Sequence, residues 1–178
     1  MTRIFLIGYM GSGKTTLGKA FARKQGLAFI DLDWHIEECF HKSIKEIFAE
    51  RGEAGFRELE RKMLHEVGEF EDVVVACGGG TPCFFDNMDY MNQAGTTLFL
   101  DASEEALFRR LKIAKAQRPL LANKTDDEIR VVISEGLESR RGFYSKAKLT
   151  LNSDRLESRS QIDGTIEELK ELLKGQQQ

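Results

Sequence analysis

Proline and cysteine are scarce in this sequence of 178 residues, which has only two prolines and three cysteines. The few prolines and the absence of any repeat argue against a collagen-like, linker-rich or disordered chain. The cysteines are odd in number and include no C-x-x-C pair, so they do not indicate a disulfide scaffold and suit a reducing compartment. The sequence therefore predicts a globular protein that needs no covalent cross-links.

Long apolar runs and a strong charge of either sign are also missing. The longest apolar runs, such as Val73–Cys77, are far shorter than the ~20 residues that span a bilayer, so we expect no membrane partner. With a net charge of −3, the chain lacks the electrostatic term that drives nucleic-acid binding, so we expect no nucleic-acid partner either. The first residues enter a strand-like run without a cleavage site, so we expect a cytoplasmic protein.

The sequence does contain enough apolar material for one buried core. It is 41% hydrophobic and 31% charged, and a fold of this length buries roughly 70% of the surface that its unfolded chain exposes. We therefore expect a single domain over residues 1–178. We also expect a monomer, although the composition itself does not bear on the oligomeric state.

Short β-branched runs alternate along the chain with longer amphipathic stretches. Strands are predicted at Arg3–Ile7, Ala28–Asp31, Val73–Cys77, Thr97–Asp101 and Lys148–Asn152. Helices are predicted near 14–25, 34–51, 55–68, 86–93, 103–116, 126–142 and 161–174. This alternation predicts an α/β fold with a five-stranded parallel sheet that carries helices on both faces.

Two segments depart from the alternation. Residues 34–68 form a helical insertion that is larger than one crossover helix requires. Residues 115–127 are first basic, then Arg-Pro-Leu-Leu, then polar. This second segment is either a mobile lid or an ordinary loop between two helices.

The run Gly8–Thr15 matches the P-loop pattern G-x-x-x-x-G-K-[ST] without a gap, and it lies between a predicted strand and a predicted helix. Glycines let the backbone wrap a phosphate, and the helix N-terminus adds partial positive charge. Lys14 would contact the β- and γ-phosphates, and the Thr15 hydroxyl could bind Mg²⁺. The predicted phosphate-binding residues are Gly11, Ser12, Gly13, Lys14, Thr15 and Thr16.

Two related nucleotide-binding classes are disfavoured. The run Asn123–Asp126 spells the N-K-x-D motif of GTPases, but it lies in a polar loop after Arg118-Pro-Leu-Leu-Ala and not at the end of an apolar strand. The third glycine of a dinucleotide-binding G-x-G-x-x-G would fall on Thr16.

Two aspartates at the end of the second strand are the candidate acids. Asp31 and Asp33 are spaced i,i+2, which would put both on one face of a strand, next to the P-loop if the first two strands are neighbours. Asp31 is then a candidate for Mg²⁺ or its water, and Asp33 could meet a substrate hydroxyl. Asp33 could instead be the N-cap of a helix that begins at Trp34.

At this point the sequence resembles the shikimate kinase family. The resemblance rests on the P-loop, on the F-x-D-x-D-x-x-I-E stretch Phe29–Glu37, and on the I-F-x-x-x-G-E-x-x-F-R-x-x-E stretch Ile47–Glu60. Gly78–Gly80 and the Arg118-Pro-Leu-Leu segment follow in the family's order. Together these motifs cover residues 4 to about 150.

The resemblance implies a P-loop kinase fold and ATP-dependent phosphorylation of the 3-hydroxyl of shikimate, with Mg²⁺ as cofactor. It implies that Asp33 holds the reacting hydroxyls and that Arg57, Gly79 and Arg140 bind the carboxylate end. It also implies that Arg118 belongs to the lid and reaches the phosphates, so that Asp33, Lys14 and Arg118 form the catalytic set. Arginine forks suit a carboxylate, and an acid suits the attacking oxygen.

The sequence departs from the family at two positions. Cys77 stands where the family has Thr or Ser before the three glycines. The family's R-x-P-L-Y pattern lacks its proline here, so Arg141 rivals Arg140.

An alternative function is that of another small-molecule P-loop kinase, such as a gluconate kinase. That enzyme would not need paired arginines or this Asp-x-Asp strand end. A nucleotide-regulated binding module would keep the P-loop but lose the acid and the lid arginine, both of which are present.

Other clusters give weaker signals. The histidines and cysteines have no zinc-site spacing, so surface or core roles are expected for them. Trp34 and Phe56 flank the proposed site and could either wall a small pocket or simply pack. Arg109 and Arg110 on a predicted helix are typical of a solvated face, with contact to the nucleotide as the other possibility.

Overall fold

The structure is a computed structural model that describes residues 2–114, 121 and 123–176. The residues it describes form five strands, β1 Arg3–Ile7, β2 Ala28–Asp31, β3 Val73–Ala76, β4 Thr96–Asp101 and β5 Leu149–Asn152. Seven helices accompany them in the described residues, α1 Lys14–Gln25, α2 Leu32–Phe40, α3 Ile44–Val67, α4 Asn87–Ala94, α5 Glu104–Ile113, α6 Asp126–Tyr144 and α7 Arg159–Gly175. The element order confirms the predicted alternation of strands and helices.

The five strands form one parallel sheet in the order β2-β3-β1-β4-β5. Side chains of a strand alternate between the two faces of the sheet. Phe5 and Val75 therefore join one hydrophobic core, and Leu6 and Val74 join a second core on the opposite face. This arrangement confirms the predicted α/β fold with helices on both faces. The carboxyl ends of all five strands meet at one edge, where ligands of open parallel sheets bind.

The condition under which the strand spacing would place Asp31 beside the P-loop, that the first two strands are neighbours, is not met. β3 lies between β1 and β2, so Asp31 is not on the strand next to the P-loop. The helix α1 nevertheless starts above the sheet and brings Thr15 to Asp31. Asp31 therefore lies near the P-loop although its strand, β2, is not adjacent to β1.

The helix boundaries in the insertion differ from those predicted. α2 begins at Leu32 and ends before His41, which has a left-handed backbone with φ of 51°. A new helix, α3, then starts with a capping box in which Ser43 and Glu46 bond each other's backbone N–H groups. Gly52, with φ of 68° and ψ of 179°, interrupts α3 close to the predicted break. The local capping chemistry therefore outweighed the hydrophobic periodicity that suggested one helix over 34–51.

Within the described residues, no helix combines the length and the apolar character needed to cross a membrane.

Candidate active site

The P-loop connects β1 to α1 through three glycines with positive φ. Gly8, Gly11 and Gly13 have φ values of 144°, 81° and 96°, which side chains rarely tolerate. A Cβ on Gly8 would also lie 2.7 Å from the carbonyl oxygen of Leu100. The loop therefore needs glycine both for its backbone conformation and for space.

Lys14 lies folded over the loop that precedes it. Its ammonium donates hydrogen bonds to the carbonyl oxygens of Gly8 at 2.8 Å and Tyr9 at 3.0 Å. The Ser12 hydroxyl is buried, and its oxygen has no hydrogen-bond partner among the described residues. The loop thus holds a fixed positive charge and an unmatched polar atom where a phosphate would fit.

A cleft of about 650 Å³ opens beside the P-loop. The P-loop, the ends of β2 and β3, and helix α5 supply its walls. Among the predicted site residues it is lined by Gly11, Gly13, Lys14, Thr15, Thr16, Asp31, Asp33 and Gly79. The structure therefore brings most of the predicted phosphate-binding residues and both aspartates to one cavity.

Asp31 joins the P-loop helix to the helix that follows β2. Its Oδ2 accepts a hydrogen bond of 2.8 Å from the Thr15 hydroxyl. Its Oδ1 accepts a longer bond of 3.4 Å from the backbone N–H of Trp34. Asp31, not Asp33, is therefore the N-cap of α2, because the helix begins two residues earlier than the sequence suggested.

Asp33 lies in the first turn of α2 and faces the cleft. Burial, together with the nearby Glu60 and Asp31 carboxylates, raises the pKa of Asp33 from 3.8 to about 6, while Lys14 acts in the opposite direction. This raised pKa is closer to neutral pH than that of an ordinary aspartate. A carboxylate with such a pKa is better suited to accept a proton from a hydroxyl and to release it again. Because Asp33 is helical, the strand argument for its position is wrong, although it does share the cavity with Asp31.

The three glycines after β3 are each packed against a charged side chain. A Cβ on Gly78 would lie 3.2 Å from carboxylate oxygens of both Asp33 and Glu60, and one on Gly79 would lie 3.3 Å from Arg140 Nη1. A Cβ on Gly80 would lie only 2.7 Å from Arg57 Nη2. Glycine is therefore needed here for close approach and not for a positive φ.

Arg57 and Arg140 do not line the cleft itself but lie beside it, against Gly80 and Gly79. Arg57 is largely buried, with its guanidinium 4.1 Å from the ring centre of Phe84. Its Nε is buried, and no described residue accepts a hydrogen bond from it. Arg140 lies over the ring of Tyr9 at 5.4 Å. Both guanidinium groups thus lie against the glycine run that follows β3, of which Gly78 and Gly79 line the cleft.

A buried polar network that the sequence did not reveal holds Arg57 in place. Glu60 is 1% exposed and accepts hydrogen bonds from Arg57 Nη1 at 2.9 Å and from the Thr81 hydroxyl at 2.6 Å. Tyr144 donates a 2.6 Å bond to the carbonyl oxygen of Gly79. In the sequence, Glu60 and Tyr144 are only the last letters of longer motifs, and contacts between distant segments leave no signal in local spacing.

The part of the cleft wall next to Gly11 and Gly13 is formed by Arg110 of α5 with Leu156 and Glu157. Arg110 donates to the backbone carbonyl oxygens of Gly11 and Ser153 at 3.2 Å and 2.7 Å. The interpretation of Arg110 as part of a solvated face is therefore wrong, whereas the neighbouring Arg109 is exposed. Arg110 bridges the P-loop and the residue after β5. These two segments are far apart in the sequence, so the sequence alone could not decide the role of Arg110.

The remaining candidates have mixed outcomes. Trp34 is 49% exposed and lines the cleft, whereas Phe56 is buried in the core. The Cys77 thiol points into the core and contacts Met91, and burial raises its pKa. Arg141 is exposed on the last turn of α6. Arg118 and most of the predicted lid lie outside the described residues.

A P-loop at the carboxyl ends of the strands of a parallel 2-3-1-4-5 sheet shares one cleft with a partly buried carboxylate, which defines a phosphotransferase of the P-loop kinase class. Comparisons with known proteins narrow the class. The family model described as shikimate kinase matches residues 10–170. The chain belongs to the shikimate kinase family.

Individual relatives agree with this assignment. A shikimate kinase from Phocaeicola vulgatus is 65% identical over 97% of this chain and 99% of its own length. The crystal structure of shikimate kinase from Bacteroides thetaiotaomicron has a TM-score of 0.95 at 61% identity, covering 97% of this chain and 98% of that one. The Acinetobacter baumannii shikimate kinase, solved in complex with shikimate, has a TM-score of 0.84 at 30% identity, covering 98% and 94%.

Proposed function

We propose that the cleft beside the P-loop is where this enzyme acts and that it has a nucleotide side and an acceptor side. The reaction is ATP-dependent phosphorylation of the 3-hydroxyl of shikimate. The position of Asp33 supports this division into a nucleotide side and an acceptor side. Asp33 shares the cleft with Lys14, but it lies next to Gly78, and Glu60 packs against the same glycine.

The nucleotide side consists of the P-loop and the neighbouring end of α5. The backbone N–H groups of Gly11–Thr16 would surround the β- and γ-phosphates, with Lys14 neutralising charge that develops during transfer. Because the phosphates occupy the P-loop and the acceptor lies near Asp33, the nucleoside is left with the part of the cleft wall formed by Arg110, Leu156 and Glu157. Arg118 remains a predicted contact to the transferred phosphate.

Thr15 and Asp31 fit the requirements of Mg²⁺. Both supply hard oxygen donors at the cleft, and the Thr15 hydroxyl points its proton at Asp31, which leaves its lone pairs available to a cation. Bound there with the phosphates, Mg²⁺ would neutralise part of the charge on the transferred group. Asp31 would fix the Thr15 hydroxyl and hold the metal directly or through a water.

Asp33 would orient the acceptor hydroxyl and take its proton. The carboxylate faces the cleft with its pKa near 6, so at neutral pH it is ionised and able to accept a hydrogen bond from the attacking oxygen. In the transfer, the hydroxyl oxygen forms a bond to the γ-phosphorus, ADP leaves, and the hydroxyl proton passes to Asp33.

Arg57, Gly79 and Arg140 would bind the carboxylate of shikimate. Two guanidinium groups approach the cleft beside the glycine run, and the buried Nε of Arg57 has a proton to donate. A carboxylate satisfies such a pair with short, charge-assisted hydrogen bonds. The backbone of Gly79 would provide a further contact to the shikimate carboxylate. Tyr144 fixes this backbone by donating a hydrogen bond to the Gly79 carbonyl oxygen.

The gluconate kinase alternative loses its support. A gluconokinase from Sinorhizobium meliloti is similar with a TM-score of 0.51 at 18% identity, which shows a shared fold alone. The discriminating experiment is an assay that couples ADP release to a signal, with shikimate, gluconate or no acceptor. We expect turnover with shikimate well above both other reactions. Equal turnover with gluconate would overturn the proposed acceptor site.

A further inference from the structure

A group of side chains with metal-ligand chemistry lies on the helical insertion, outside the cleft. His35 and Cys39 are one turn apart on α2, and Glu66 comes from the last turn of α3. One ligand atom from each lies within 4.8 Å of the others. Local spacing does not reveal this group because its members come from two helices and 31 residues separate His35 from Glu66.

Two distances inside the group are close to those of a tetrahedral metal site. His35 Nε2 lies 3.4 Å from Glu66 Oε1 and 3.8 Å from Cys39 Sγ. Metal–ligand bonds of about 2.0–2.3 Å in a tetrahedron put neighbouring ligand atoms about 3.3–3.7 Å apart. Cys39 and Glu66 are both exposed, so small rotations of their side chains can close the third edge.

The donor types indicate which metal the group would select. A thiolate and an imidazole favour zinc over Mg²⁺ or Ca²⁺, which prefer oxygen ligands. The group is accessible from solvent, since only His35 is partly buried. It is also separate from the cleft, because positions two apart on a helix, such as Asp33 and His35, point about 200° apart.

We propose that His35, Cys39 and Glu66 form a zinc-binding site that fastens α2 to α3, with a water as the fourth ligand. None of its three ligands has a role in the proposed phosphoryl transfer. The site is nevertheless built on the two helices that carry Asp33 and Arg57, so zinc would restrain the acceptor side of the enzyme.

The first test measures zinc binding to the full-length chain in competition with a coloured chelator. Excess Mg²⁺ is present so that oxygen-ligand sites in the cleft are occupied. We expect one zinc per chain, and Cys39→Ser, His35→Gln and Glu66→Gln should each weaken binding by at least about 10-fold. The matched controls Cys83→Ser, His41→Asn and Glu58→Gln replace residues outside the group and should bind zinc like the parent.

The second test uses Co²⁺ as a spectroscopic probe of the thiolate. The parent chain and Cys83→Ser should show a near-ultraviolet sulfur-to-cobalt charge-transfer absorption, and Cys39→Ser should lack it. Zinc should also raise the Tm of the parent but not that of Cys39→Ser, since a ligand that binds only the folded state stabilises it.

Three results would overturn the proposal. The first is a parent chain without the sulfur-to-cobalt absorption, which requires no variant to fold. The second is an equal zinc affinity for Cys39→Ser and the parent. Cys39 would then not bind zinc, and the contact between His35 and Glu66 would be an ordinary surface contact. The third is unchanged binding in Glu66→Gln, because the metal would then not join the two helices.

Discussion

The Thr15 hydroxyl donates a 2.8 Å hydrogen bond to Asp31 Oδ2, which links the first turn of α1 to the end of β2. This contact crosses over β3, so it is made by the helix and not by adjacent strands. It makes Asp31 the residue that orients the hydroxyl proposed to bind Mg²⁺.

Replacing Asp31 with asparagine should therefore raise the Mg²⁺ requirement. An asparagine side chain can still cap α2, so the fold should survive. Removing the charge that orients or holds a metal ligand should raise the Mg²⁺ concentration for half-maximal rate by about 10- to 100-fold. The measurement is a Mg²⁺ titration of the initial rate, with the exposed Asp86→Asn as control. A normal Mg²⁺ dependence in Asp31→Asn would remove Asp31 from the metal site.

The Arg57→Lys variant should weaken binding of the acceptor specifically. Lysine keeps a positive charge beside the buried Glu60, but it loses the guanidinium fork. Loss of a charged hydrogen bond worth about 1.5–3 kcal/mol should raise the KM for shikimate roughly 10- to 100-fold and leave the KM for ATP little changed. Arg61→Lys, on the same helix and paired with Asp86, is the matched control. An unchanged KM for shikimate would place Arg57 outside the acceptor site.

The adjacent arginines of α6 should behave differently from each other. Arg140 lies against Gly79, whereas Arg141 is exposed on the helix surface. We expect Arg140→Lys to raise the KM for shikimate about 10-fold or more, as for loss of one charged hydrogen bond, and Arg141→Lys to have little effect. Steady-state kinetics with varied shikimate measures both. The reverse order would mean that the binding residue is Arg141.

Asp33 should cost the folded enzyme stability at neutral pH. Its pKa is raised from 3.8 to about 6, so the folded state binds the proton more tightly than the unfolded state does. Stability therefore falls as the pH rises through this window, and the full penalty is present above about pH 6. We expect Asp33→Asn to be more stable than the parent by roughly 1–3 kcal/mol at pH 8.

Urea unfolding at several pH values tests this expectation. The advantage of Asp33→Asn should shrink as the pH falls from 6 towards 4, because the parent carboxyl then becomes protonated in the folded state. A difference in stability that does not change with pH would show that Asp33 ionises normally.

Much of this fold could be predicted because its signals are local. The five strands have short β-branched sequences, and the P-loop pattern marks the turn from β1 to α1, so both follow from adjacent residues. The order of the strands does not follow from adjacent residues, so the sequence could state only that Asp31 would lie next to the P-loop if β1 and β2 were neighbours, which they are not. The start of α2 was also misplaced, because the capping role fell to Asp31 and not to Asp33.

The candidate site was predicted in its charged residues but not in the residues that support them. Asp31, Asp33 and Lys14 belong to recognisable motifs, and the structure puts them in one cleft. Glu60 acts through Arg57 on its own helix and through Thr81 on another segment. Such a network is fixed by tertiary packing, so no spacing rule could have revealed it.

The most direct test of the account is the rate of Asp33→Asn across pH with saturating ATP and Mg²⁺. The parent should lose kcat/KM for shikimate below about pH 6 as Asp33 becomes protonated. The variant should have a kcat lower by about 10²- to 10⁴-fold, no acid limb near pH 6, and nearly normal ATP binding. A variant within a few-fold of the parent rate that keeps the acid limb would contradict the proposal that Asp33 takes the proton of the acceptor hydroxyl.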